Sequence, residues 1–546
     1  LDNMEVISLY NGQKSAIFQP AKDYSSASAI YMQTRKPLFK GEKKNNLNIG
    51  VKGGSFSTIN PSLLWEHRFN ERISSSISTE YMYTSGRYKF TYAKKDGYDT
   101  TAVRQNGDVR MLRLENAFFG KVPKGEWKAK AYLYNSERGY PGAAVREEPG
   151  KFRHQDRQWD TNLFVQGSFQ NYFKPWYSLL ANGKYAYDYL HYLSDPRLDV
   201  TTMYVDNHYR QQEIYASAAH LFTIYPWWRM SLSNDFQWNA LRADLIDFVY
   251  PTRNTILTSA ATSFDFNHLM LQASLLYTHV DDNTRTKGAN AGTKNKYTPS
   301  VIATWQPLTK FPLNVRAFYK KVFRMPTLND LYYTFIGNKD LKPEYTTQYD
   351  VGITFSHTWN NHWLKSLDLQ IDGYYNEVDD KIIAMPTSNQ FRWTMINLGH
   401  VEIRGLDAAI RGEWGFGKVE LSTLFNYTYQ KAQDFTDPTS EWYGGQIPYI
   451  PWHGGSIILN GSYQTWSCNY SFIYTGERYE AVANIPENYA QPWYTHDFSL
   501  SKTFQWGKTG IRVTAEINNI FNQQYEVVQC YPMPGTSFKI KLNVML

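Results

Sequence analysis

Several groups of side chains in this sequence could support chemistry, and the first is a set of carboxylates in one polar segment. Asp96, Asp99 and Asp108 could supply the oxygen ligands that Ca²⁺ prefers. Asn106 could add an amide oxygen to the same set. The spacing departs from the regular Asp-x-Asp-x-Asp-Gly pattern of a calcium loop, so an ordinary polar loop is the alternative. A calcium site is therefore a hypothesis for this segment, and the sequence predicts no other cofactor.

Other segments have the spacing of catalytic or nucleotide-binding motifs but lack a residue that those motifs need. The stretch from Gly412 to Lys418 has phosphate-loop spacing, yet Val419 stands where Ser or Thr is required. The pair Asp379 and Asp380 has no nucleophile or further acid beside it. None of the 12 His residues occurs in an H-E-x-x-H motif. The sequence therefore predicts that the protein is not an enzyme.

The composition favours a membrane protein built from strands. The 546 residues include 43 Tyr, 30 Phe and 17 Trp, yet the mean hydropathy is −0.54. A transmembrane helix needs about 20 consecutive apolar residues, and the sequence contains no such run. In a transmembrane barrel, lipid-facing and lumen-facing side chains alternate, so their hydropathies average out. A large soluble all-β protein, such as a propeller or a sandwich, is the alternative.

Charge and cysteine content argue against further classes of protein. The chain has 57 basic and 50 acidic residues, a net charge of +7, and its basic residues are mostly scattered. This distribution does not indicate nucleic-acid binding. Two cysteines are too few for a disulfide scaffold and argue against a structural zinc site.

Alternating side chains mark the expected strands. Ile511, Val513 and Ala515 alternate with polar residues. The same period of two recurs in residues 269–277 and 538–546. A period of two predicts a strand with two unlike faces, which a soluble sheet could also produce.

The lengths of the connections distinguish a barrel from a soluble sheet protein, because short and long links alternate along the chain. The short links are at residues 70–72, 122–125, 173–175, 225–226, 307–312, 415–417 and 505–507. The long links fall near residues 86–107, 136–158, 191–206, 240–253, 281–296, 323–344, 379–395, 431–448, 477–490 and 522–534. Tight turns at one rim and long loops at the other are the layout of an outer-membrane barrel. A propeller would repeat at a fixed period, and no such repeat is present.

Aromatic side chains collect beside the short links. Among them are Phe173, Trp176, Trp227, Trp228 and Trp506. Such rings prefer the membrane interface, where they form a girdle. The sequence therefore predicts an all-β fold, a transmembrane antiparallel β-barrel of about 22 strands with short periplasmic turns and long extracellular loops. A barrel of that width encloses a lumen that its own side chains cannot fill.

Four sequence motifs occur in a fixed order along the chain. They are Tyr10-Asn11-Gly12; Phe323-Arg324-Met325-Pro326 with Asn338 and Leu341-Lys342-Pro343-Glu344; Asn397 with Gly399 and Gly405; and Asn519-Ile520-Phe521-Asn522 with Tyr525. In this order they resemble the motifs of TonB-dependent receptors, in which the last motif lies in the penultimate strand. The resemblance covers essentially the whole chain and implies binding of a scarce, large ligand followed by gated import.

The resemblance also implies two domains and several partners. Residues 1–44 are expected to be the C-terminal part of a plug domain, and residues 45–546 the transmembrane β-barrel. The chain is expected to begin inside the plug, so that most of the plug and the segment that contacts TonB precede it. The implied partners are the TonB energy-coupling complex, outer-membrane lipids and a small-molecule ligand, without nucleic acid.

Two further segments narrow the resemblance. Residues 136–142, Ser-Glu-Arg-Gly-Tyr-Pro-Gly, and residues 381–387, Lys-Ile-Ile-Ala-Met-Pro-Thr, resemble vitamin B12 (cobalamin) receptors of Bacteroidetes, which commonly carry a surface lipoprotein. Haem receptors usually place a His between the two mid-barrel motifs, and residues 327–337 contain none. Ferric-siderophore receptors share the scaffold and remain the alternative. An outer-membrane barrel enzyme or a passive pore is the alternative of a different class.

The long loops predict the ligand site. A corrinoid is large and amphipathic, so it calls for aromatic surface and hydrogen-bonding groups more than for concentrated charge. An anionic siderophore would instead favour converging Arg and Lys side chains, and the loops offer only scattered ones. The predicted substrate-binding residues are Arg138, Tyr140, Tyr204, Phe335, Met385, Gln390, Phe391, Trp393 and Tyr489. The loop from Met385 to Trp393 is the preferred contact region.

The two cysteines are expected to stay apart. Cys468 follows a short turn, whereas Cys530 lies in a long loop. A strand crossing of about 9–11 residues separates the two rims. This distance far exceeds the ~7 Å between the Cα atoms of bridged cysteines, so no disulfide is predicted.

Overall fold

The computed structural model of the protein describes residues 3–12, 14–93, 99–144, 156–195, 204–286, 290–309, 311–333, 337–360, 362–386 and 393–546. Helix in these residues is confined to α1 (Leu328–Tyr332) and to short 3-10 segments at Ala21–Tyr24 and Pro486–Asn488. No helix within those ranges is long and apolar enough to span a membrane.

Strands make up nearly all of the remaining secondary structure. In chain order they are β1 (Met4–Asn11), β2 (Ser28–Thr34), β3 (Asn45–Gly54), β4 (Thr58–Arg68), β5 (Ile73–Thr84), β6 (Lys89–Ala93), β7 (Asp99–Val103), β8 (Val109–Val122), β9 (Gly125–Tyr140), β10 (Asp156–Lys174), β11 (Tyr177–Ser194), β12 (Val205–Tyr225), β13 (Trp228–Ala243), β14 (Thr252–Phe266), β15 (Leu269–Asn283), β16 (Thr293–Trp305), β17 (Leu313–Arg324), β18 (Glu344–Thr358), β19 (Leu364–Pro386), β20 (Trp393–Phe416), β21 (Val419–Asp434), β22 (Gly445–Gln446), β23 (His453–Tyr463), β24 (Trp466–Thr475), β25 (Arg478–Tyr479), β26 (Tyr489–Ala490), β27 (Trp493–Trp506), β28 (Thr509–Asn518), β29 (Glu526–Val528), β30 (Tyr531–Pro532) and β31 (Ser537–Met545).

Among the described residues, 22 strands close into one antiparallel barrel. These strands are β3 to β5, β8 to β21, β23, β24, β27, β28 and β31. The barrel closes where β3 pairs with β31, as in the pairs Ile49 with Val544 and Gly53 with Ile540. Strand β22 adds a short pairing to β21, and the remaining strands form separate two-stranded sheets. The predicted barrel architecture is confirmed.

The two rims of the barrel differ as predicted. One rim carries short links, at residues 69–72, 123–124, 175–176, 226–227, 267–268, 306–312, 359–363, 417–418, 464–465 and 507–508. The other rim carries the longer segments, with one short link at residues 55–57. Three short links begin two residues later than expected, because strand pairing continues through Lys174, Phe416 and Trp506.

The barrel wall has an apolar outer face and a polar inner face. On β13, Met230 and Leu232 are exposed, whereas Ser233 and Asp235 are buried. Successive side chains of a strand point to opposite faces, so the exposed set faces lipid and the buried polar set faces the lumen. This alternation keeps the hydropathy of each strand low even though one face is apolar.

A 3-10 segment near the N-terminus lies in the lumen, against the inner face of β13. The carboxylate of Asp235 accepts hydrogen bonds from the backbone N–H groups of Ala21 and Lys22, at 3.1 and 2.8 Å. Ser233 donates its hydroxyl to the carbonyl oxygen of Gln19 at 2.8 Å. These contacts fix the position of the segment against the wall.

A buried lysine holds the residues that flank this 3-10 segment in the chain. Lys320 of β17 is 1% exposed, and its Nζ donates to the carbonyl oxygens of Gly12 and Ser26, at 3.1 and 2.8 Å. Gly12 has a φ of +87° and lies against the ring of Phe318, where a Cβ atom would overlap the ring. Only glycine therefore fits this approach to the wall. The assignment of residues 1–44 to a plug domain stays a prediction.

The cysteines occupy opposite rims. Cys468 lies on β24 beside the short link at residues 464–465, and Cys530 lies in the long link between β28 and β31. The two are not joined by a disulfide. The prediction of unbridged cysteines is confirmed.

Candidate functional site

The outer ends of the strands, with the loops that join them, form the candidate ligand-binding region. The loop of residues 325–343 folds inward over the inner wall there. Leu328, Leu331 and Tyr332 of this loop pack in one buried cluster with Tyr209 of β12 and Leu241 of β13. Burying an apolar side chain of this size stabilises by about 1.5–3 kcal/mol. The cluster therefore gives the loop a fixed position in the mouth of the barrel.

Two buried charges anchor the start of this loop. Arg253 donates through Nε and Nη2 to the two carboxylate oxygens of Asp282, at 2.5 and 2.6 Å. Its Nη1 donates to the carbonyl oxygen of Pro326 at 2.6 Å. Pro326 belongs to the first mid-barrel motif, so part of that motif marks the point where the loop is tied to the wall.

Two asparagines anchor the end of the loop. Asn338 donates through Nδ2 to the carbonyl oxygen of Met395 at 3.0 Å. Asn397 accepts from the backbone N–H of Lys342 at 2.8 Å and donates to its carbonyl oxygen at 3.1 Å. These side chains bond the loop to β20 as a strand would, so their motifs have a structural role.

The C-terminal motif differs from its expected place. Asn519 begins just beyond the end of β28, not within the penultimate strand. Its φ of 49° ends the strand, and its side chain bonds the loop that follows: Nδ2 donates to the carbonyl oxygen of Gln523, and Oδ1 accepts from the N–H of the same residue. The motif therefore follows β28, and its asparagine stabilises the turn at the start of the next loop.

The inner wall at the outer ends of β9, β10 and β11 carries a network of polar and aromatic groups, here called the β9–β11 network. Arg138 pairs with the buried carboxylate of Asp160 at 2.5 Å. Gln158 donates to Asp160 at 2.7 Å and accepts from the hydroxyl of Tyr140 at 2.8 Å. The rings of Tyr140 and Tyr192 meet edge to face, with centroids 6.2 Å apart. The network thus combines ring faces with amide and phenol groups, and its arginine is neutralised.

A second group of aromatic residues, here called the Trp393 patch, links β20 to two outer loops. Trp393 lies against Tyr449, with ring centroids 5.9 Å apart. The backbone N–H of Tyr449 donates to the carbonyl oxygen of Tyr479 at 2.8 Å. Tyr479 meets Tyr489 edge to face at 6.0 Å. The patch therefore joins two of the predicted ligand residues, Trp393 and Tyr489, through two residues that were not predicted.

Two phenols of the Trp393 patch, those of Tyr449 and Tyr489, remain protonated near neutral pH. The hydrogen bond from Tyr489 to Glu477, 2.7 Å long, raises the pKa of Tyr489 to about 12. Burial raises the pKa of Tyr449 to about 12. Both groups are therefore neutral hydroxyls that can donate or accept hydrogen bonds.

Two other buried arginines of the outer loops are occupied by backbone carbonyl groups. Arg104 donates to the carbonyl oxygen of Pro141 at 2.6 Å. Arg478 donates to the carbonyl oxygens of Gln491 and Glu526, at 3.2 and 2.9 Å. Burial lowers the pKa of both guanidinium groups. These charges tie neighbouring loops together.

Comparison with known proteins places this architecture in a family. The sequence matches the family described as "TonB dependent receptor-like, beta-barrel" over residues 22–520. The chain belongs to this family. Members of the family are outer-membrane proteins, so the receptor is an outer-membrane barrel, and a family of receptors agrees with the expectation that it is not an enzyme.

Two curated relatives share a name. The receptor is 28% identical over 244 residues to the "Vitamin B12 transporter BtuB" of Photobacterium profundum, which is 43% of this chain and 36% of the relative. It is 31% identical over 207 residues to the protein of the same name from Vibrio vulnificus, which is 37% of this chain and 29% of the relative. The matches thus span about a third of the length of these relatives.

A solved structure shows the same fold. The FrpB iron transporter of Neisseria meningitidis superposes on the receptor with a TM-score of 0.75 and 12% sequence identity, covering 100% of this chain and 88% of that one. Identity this low is evidence for the barrel fold alone.

The remaining predicted ligand residues of the receptor are placed less closely together. Met385 lies near the end of β19, paired with Thr394 of β20. Tyr204 is 57% exposed and donates its hydroxyl to Asp206 at 3.3 Å, so it does not join the β9–β11 network. Phe335, Gln390 and Phe391 lie outside the described residues.

Only some of the candidate calcium ligands lie within the described residues. Asp96 and the side chain of Asp99 lie outside the part of the chain that is described. Asp108 accepts two hydrogen bonds from Nη1 of Arg157, at 2.8 and 3.0 Å. Asn106 donates to the carbonyl oxygens of Tyr140 and Asp156, both at 3.0 Å. These two side chains already bond protein groups, and the calcium site stays a prediction.

The sequence analysis does not predict five residues of the β9–β11 network and the Trp393 patch: Gln158, Asp160, Tyr192, Tyr449 and Tyr479. Gln158, Tyr192 and Tyr479 fall within segments predicted as long loops, so their positions were available signals. Asp160 and Tyr449 lie just outside the predicted segments, and only the structure shows that they contact Arg138 and Trp393.

Proposed function

We propose that this receptor imports cobalamin, vitamin B12, across the outer membrane by TonB-coupled active transport. The observation that carries the proposal is the aromatic character of the β9–β11 network and the Trp393 patch, in which the one arginine is paired with a carboxylate and Gln158 adds an amide. The names of the two curated relatives support the same ligand, although the alignments span only part of those proteins.

The chemistry of a corrinoid suits these groups. Its ring is flat and its edge carries amide side chains, so it can stack on rings and exchange hydrogen bonds with phenols and amides. Trp393 and Tyr140 offer ring surface, and Gln158 offers an amide.

The arginines of the region fit an anionic ligand less well. Arg138 is paired with Asp160, and Arg478 donates to backbone carbonyl groups. Recognition of an anionic ferric siderophore would require such guanidinium groups to be free for bidentate contacts. The siderophore alternative, or haem, would therefore need these contacts to be exchanged for ligand contacts.

Transport in this proposal is binding followed by gated release. The outer loops capture the ligand, and a plug domain in the lumen blocks its passage until TonB coupling moves it. The contacts of Lys320 and Asp235 would hold Gly12, Lys22 and Ser26 on the wall while the remainder of the plug moves.

Direct binding of cyanocobalamin and of a panel of ferric siderophores to the purified protein tests the ligand. The Trp393→Ala variant should weaken cobalamin binding by about 1–3 kcal/mol, because a stacking ring is lost. Trp466→Ala, at the short-link rim, is the matched control and should leave binding unchanged. Tight siderophore binding without cobalamin binding would overturn the ligand.

The preferred contact loop needs a second variant. Adding Phe391→Ala to Trp393→Ala should weaken binding further if both rings pack on the corrinoid. If the double variant binds cobalamin with wild-type affinity, this loop is not the binding site, and the identity of the ligand is unaffected by that result.

We further propose that the receptor is of the Bacteroidetes type and engages a surface lipoprotein, on the strength of residues 136–142 and 381–387. The long outer loops give such a partner a surface to contact. Purification from native membranes in mild detergent should recover a lipoprotein with the barrel. Repeated recovery of the barrel alone would contradict this part of the proposal.

A further inference from the structure

A group of ligand-type side chains lies on the outer face of the barrel, away from the lumen. Three of its members are His191 of β11 and Asp206 and His208 of β12, and His191 pairs directly with His208 across the strands. Tyr185 and Ile214, which pair on the same face, are 40% and 44% exposed among the outward apolar residues. Because faces alternate along a strand, the group faces outward too.

The group lies beyond the hydrocarbon layer. β11 has 18 residues and β12 has 21, whereas a crossing of the bilayer takes about 9–11 residues of a tilted strand. His191 and His208 lie near the ends of these strands that are far from the short links. The exposed side chain of Arg210 lies on the same face between His208 and the apolar band, where a charge marks water and not lipid.

The potential donor atoms are close together. Nε2 of His191 is 2.7 Å from Oδ1 of Asp206, and Nε2 of His208 is 3.6 Å from the same oxygen. The three donor atoms all lie within 4.8 Å of one another. Oδ2 of Asp244 lies 3.9 Å from Nε2 of His208 and could serve as a fourth ligand. Two imidazoles with one or two carboxylates are a ligand set for zinc and related divalent ions.

The surrounding groups orient these side chains as the neighbours of a metal site do. Nδ1 of His208 lies 2.7 Å from the hydroxyl of Tyr189, so in the tautomer that donates to this oxygen the Nε2 lone pair is free. The ring of His191 stacks on Trp159, with centroids 4.6 Å apart. Asp244 accepts from the backbone N–H of His208 at 2.8 Å, which fixes its carboxylate beside the ring.

The charges of the group favour a cation. The rings of His191 and His208 stack with centroids 3.9 Å apart and planes within 10°. The carboxylates of Asp206 and Asp244 lie beside these rings and bring negative charge to the group. A divalent ion would neutralise it, and the rings need only tilt apart for both Nε2 atoms to point at one ion.

We propose that His191, Asp206 and His208 bind a divalent transition-metal ion of the zinc class on the outer wall of the receptor. The site requires no cysteine, and it is independent of the ligand proposed for the lumen. Since the ligands come from two neighbouring strands at their outer ends, the bound ion clamps β11 to β12 where the barrel leaves the membrane.

Zinc titration of the metal-stripped, untagged protein in detergent, followed by calorimetry, tests the site. The wild type should bind one Zn²⁺ per chain. His191→Gln, His208→Gln and Asp206→Asn should each weaken binding at least tenfold. Tyr189→Phe, which removes only the orienting hydroxyl, should weaken it by about tenfold or more. His279→Ala is the matched control, because this half-buried histidine bonds Asn295 instead of a carboxylate.

A spectroscopic measurement separates ligation from a change in stability. Electron paramagnetic resonance of bound Cu²⁺ should show coupling to two imidazole nitrogens in the wild type and to one in either histidine variant. Retention of the folded, heat-modifiable band on gels shows that each variant is still a barrel. Absence of stoichiometric zinc binding by the wild type, or equal binding in all variants, would overturn the proposal.

Discussion

At the mouth of the barrel, one buried cation, Arg253, bonds both the wall and the loop of residues 325–343. Arg253 bonds both oxygens of Asp282 and also the carbonyl oxygen of Pro326. Arg253→Met removes the cation and leaves a buried carboxylate without its partner. The free energy of unfolding should fall by about 3–5 kcal/mol, measured by denaturant unfolding in detergent.

The matched control removes both charges. The double variant Arg253→Met/Asp282→Leu should recover most of the lost stability, since replacing a buried pair by apolar groups is often close to neutral. A single variant as stable as the wild type would show that the pair is solvated in the folded protein.

For individual ligand residues, the sequence predicts only the residue type and the loop that contains it, not the position of the side chain in the barrel. Aromatic residues in outer loops can stack on a flat ligand, which is the basis for predicting Trp393 and Tyr489. The structure brings both into one patch through Tyr449 and Tyr479. Tyr204 has the same residue type, yet it contacts Asp206 beside the outward-facing His208. Which face a residue near the end of a strand occupies depends on register, and loop composition does not reveal it.

At the scale of elements, the loop of residues 325–343 is held by side chains that act as backbone partners. Asn397→Ala removes the bonds to both backbone groups of Lys342. The free energy of opening the loop should fall by about 1–3 kcal/mol, so trypsin should cleave after Lys339 several-fold faster. The control is Asn295→Ala, whose exposed side chain bonds Tyr277 and His279 of β15 and does not contact the loop. Equal cleavage of the two variants would contradict the assigned role.

The lumen segment depends on a different element, strand β17. Lys320→Met removes both bonds to the carbonyl oxygens of Gly12 and Ser26. Hydrogen exchange of residues 14–27 should become faster, because the loss of these bonds lowers the free energy of local opening. The neighbouring Lys321 is exposed, so Lys321→Met is the control. Unchanged exchange in the Lys320 variant would show that Asp235 and Ser233 suffice to hold the segment.

The motifs were recognisable from the sequence, but their physical role was not. Asn338 and Asn397 could be matched to a family pattern, whereas their bonds to Met395 and Lys342 join positions more than 50 residues apart. The resemblance to the family implies that the C-terminal motif lies in the penultimate strand. In the structure the side chain of Asn519 ends that strand.

For the whole molecule, the orientation of the rims in the membrane is directly testable. In a variant with Cys468→Ser and Cys530→Ser, an added Asp437→Cys lies in the long link between β21 and β23, and Lys418→Cys lies in a short link. A membrane-impermeant thiol reagent should label the first in intact cells and the second only after the outer membrane is opened. Labelling in the reverse pattern would invert the topology.

The barrel itself could be predicted because its physical constraints repeat along the chain. Every strand must alternate between apolar and polar side chains, as around Ile511, and aromatic rings collect at each membrane interface, as at Trp227. Because these two patterns recur along the whole chain, the barrel is predicted many times over. The β9–β11 network had no such repetition. Its partners Tyr140, Gln158 and Asp160 are joined by one register between two strands, and a shift of a single residue would separate them.

The length of the strands has a consequence for everything that approaches the cell. β19 and β20 contain 23 and 24 residues, and at about 3.3 Å per residue with a tilt of roughly 40° they rise well beyond an apolar band about 25 Å tall. The surplus forms a collar that projects from the outer surface of the membrane. Antibodies and other molecules too large to enter the lumen therefore contact this collar first. The surface of the collar, more than that of the pore, is what such molecules recognise.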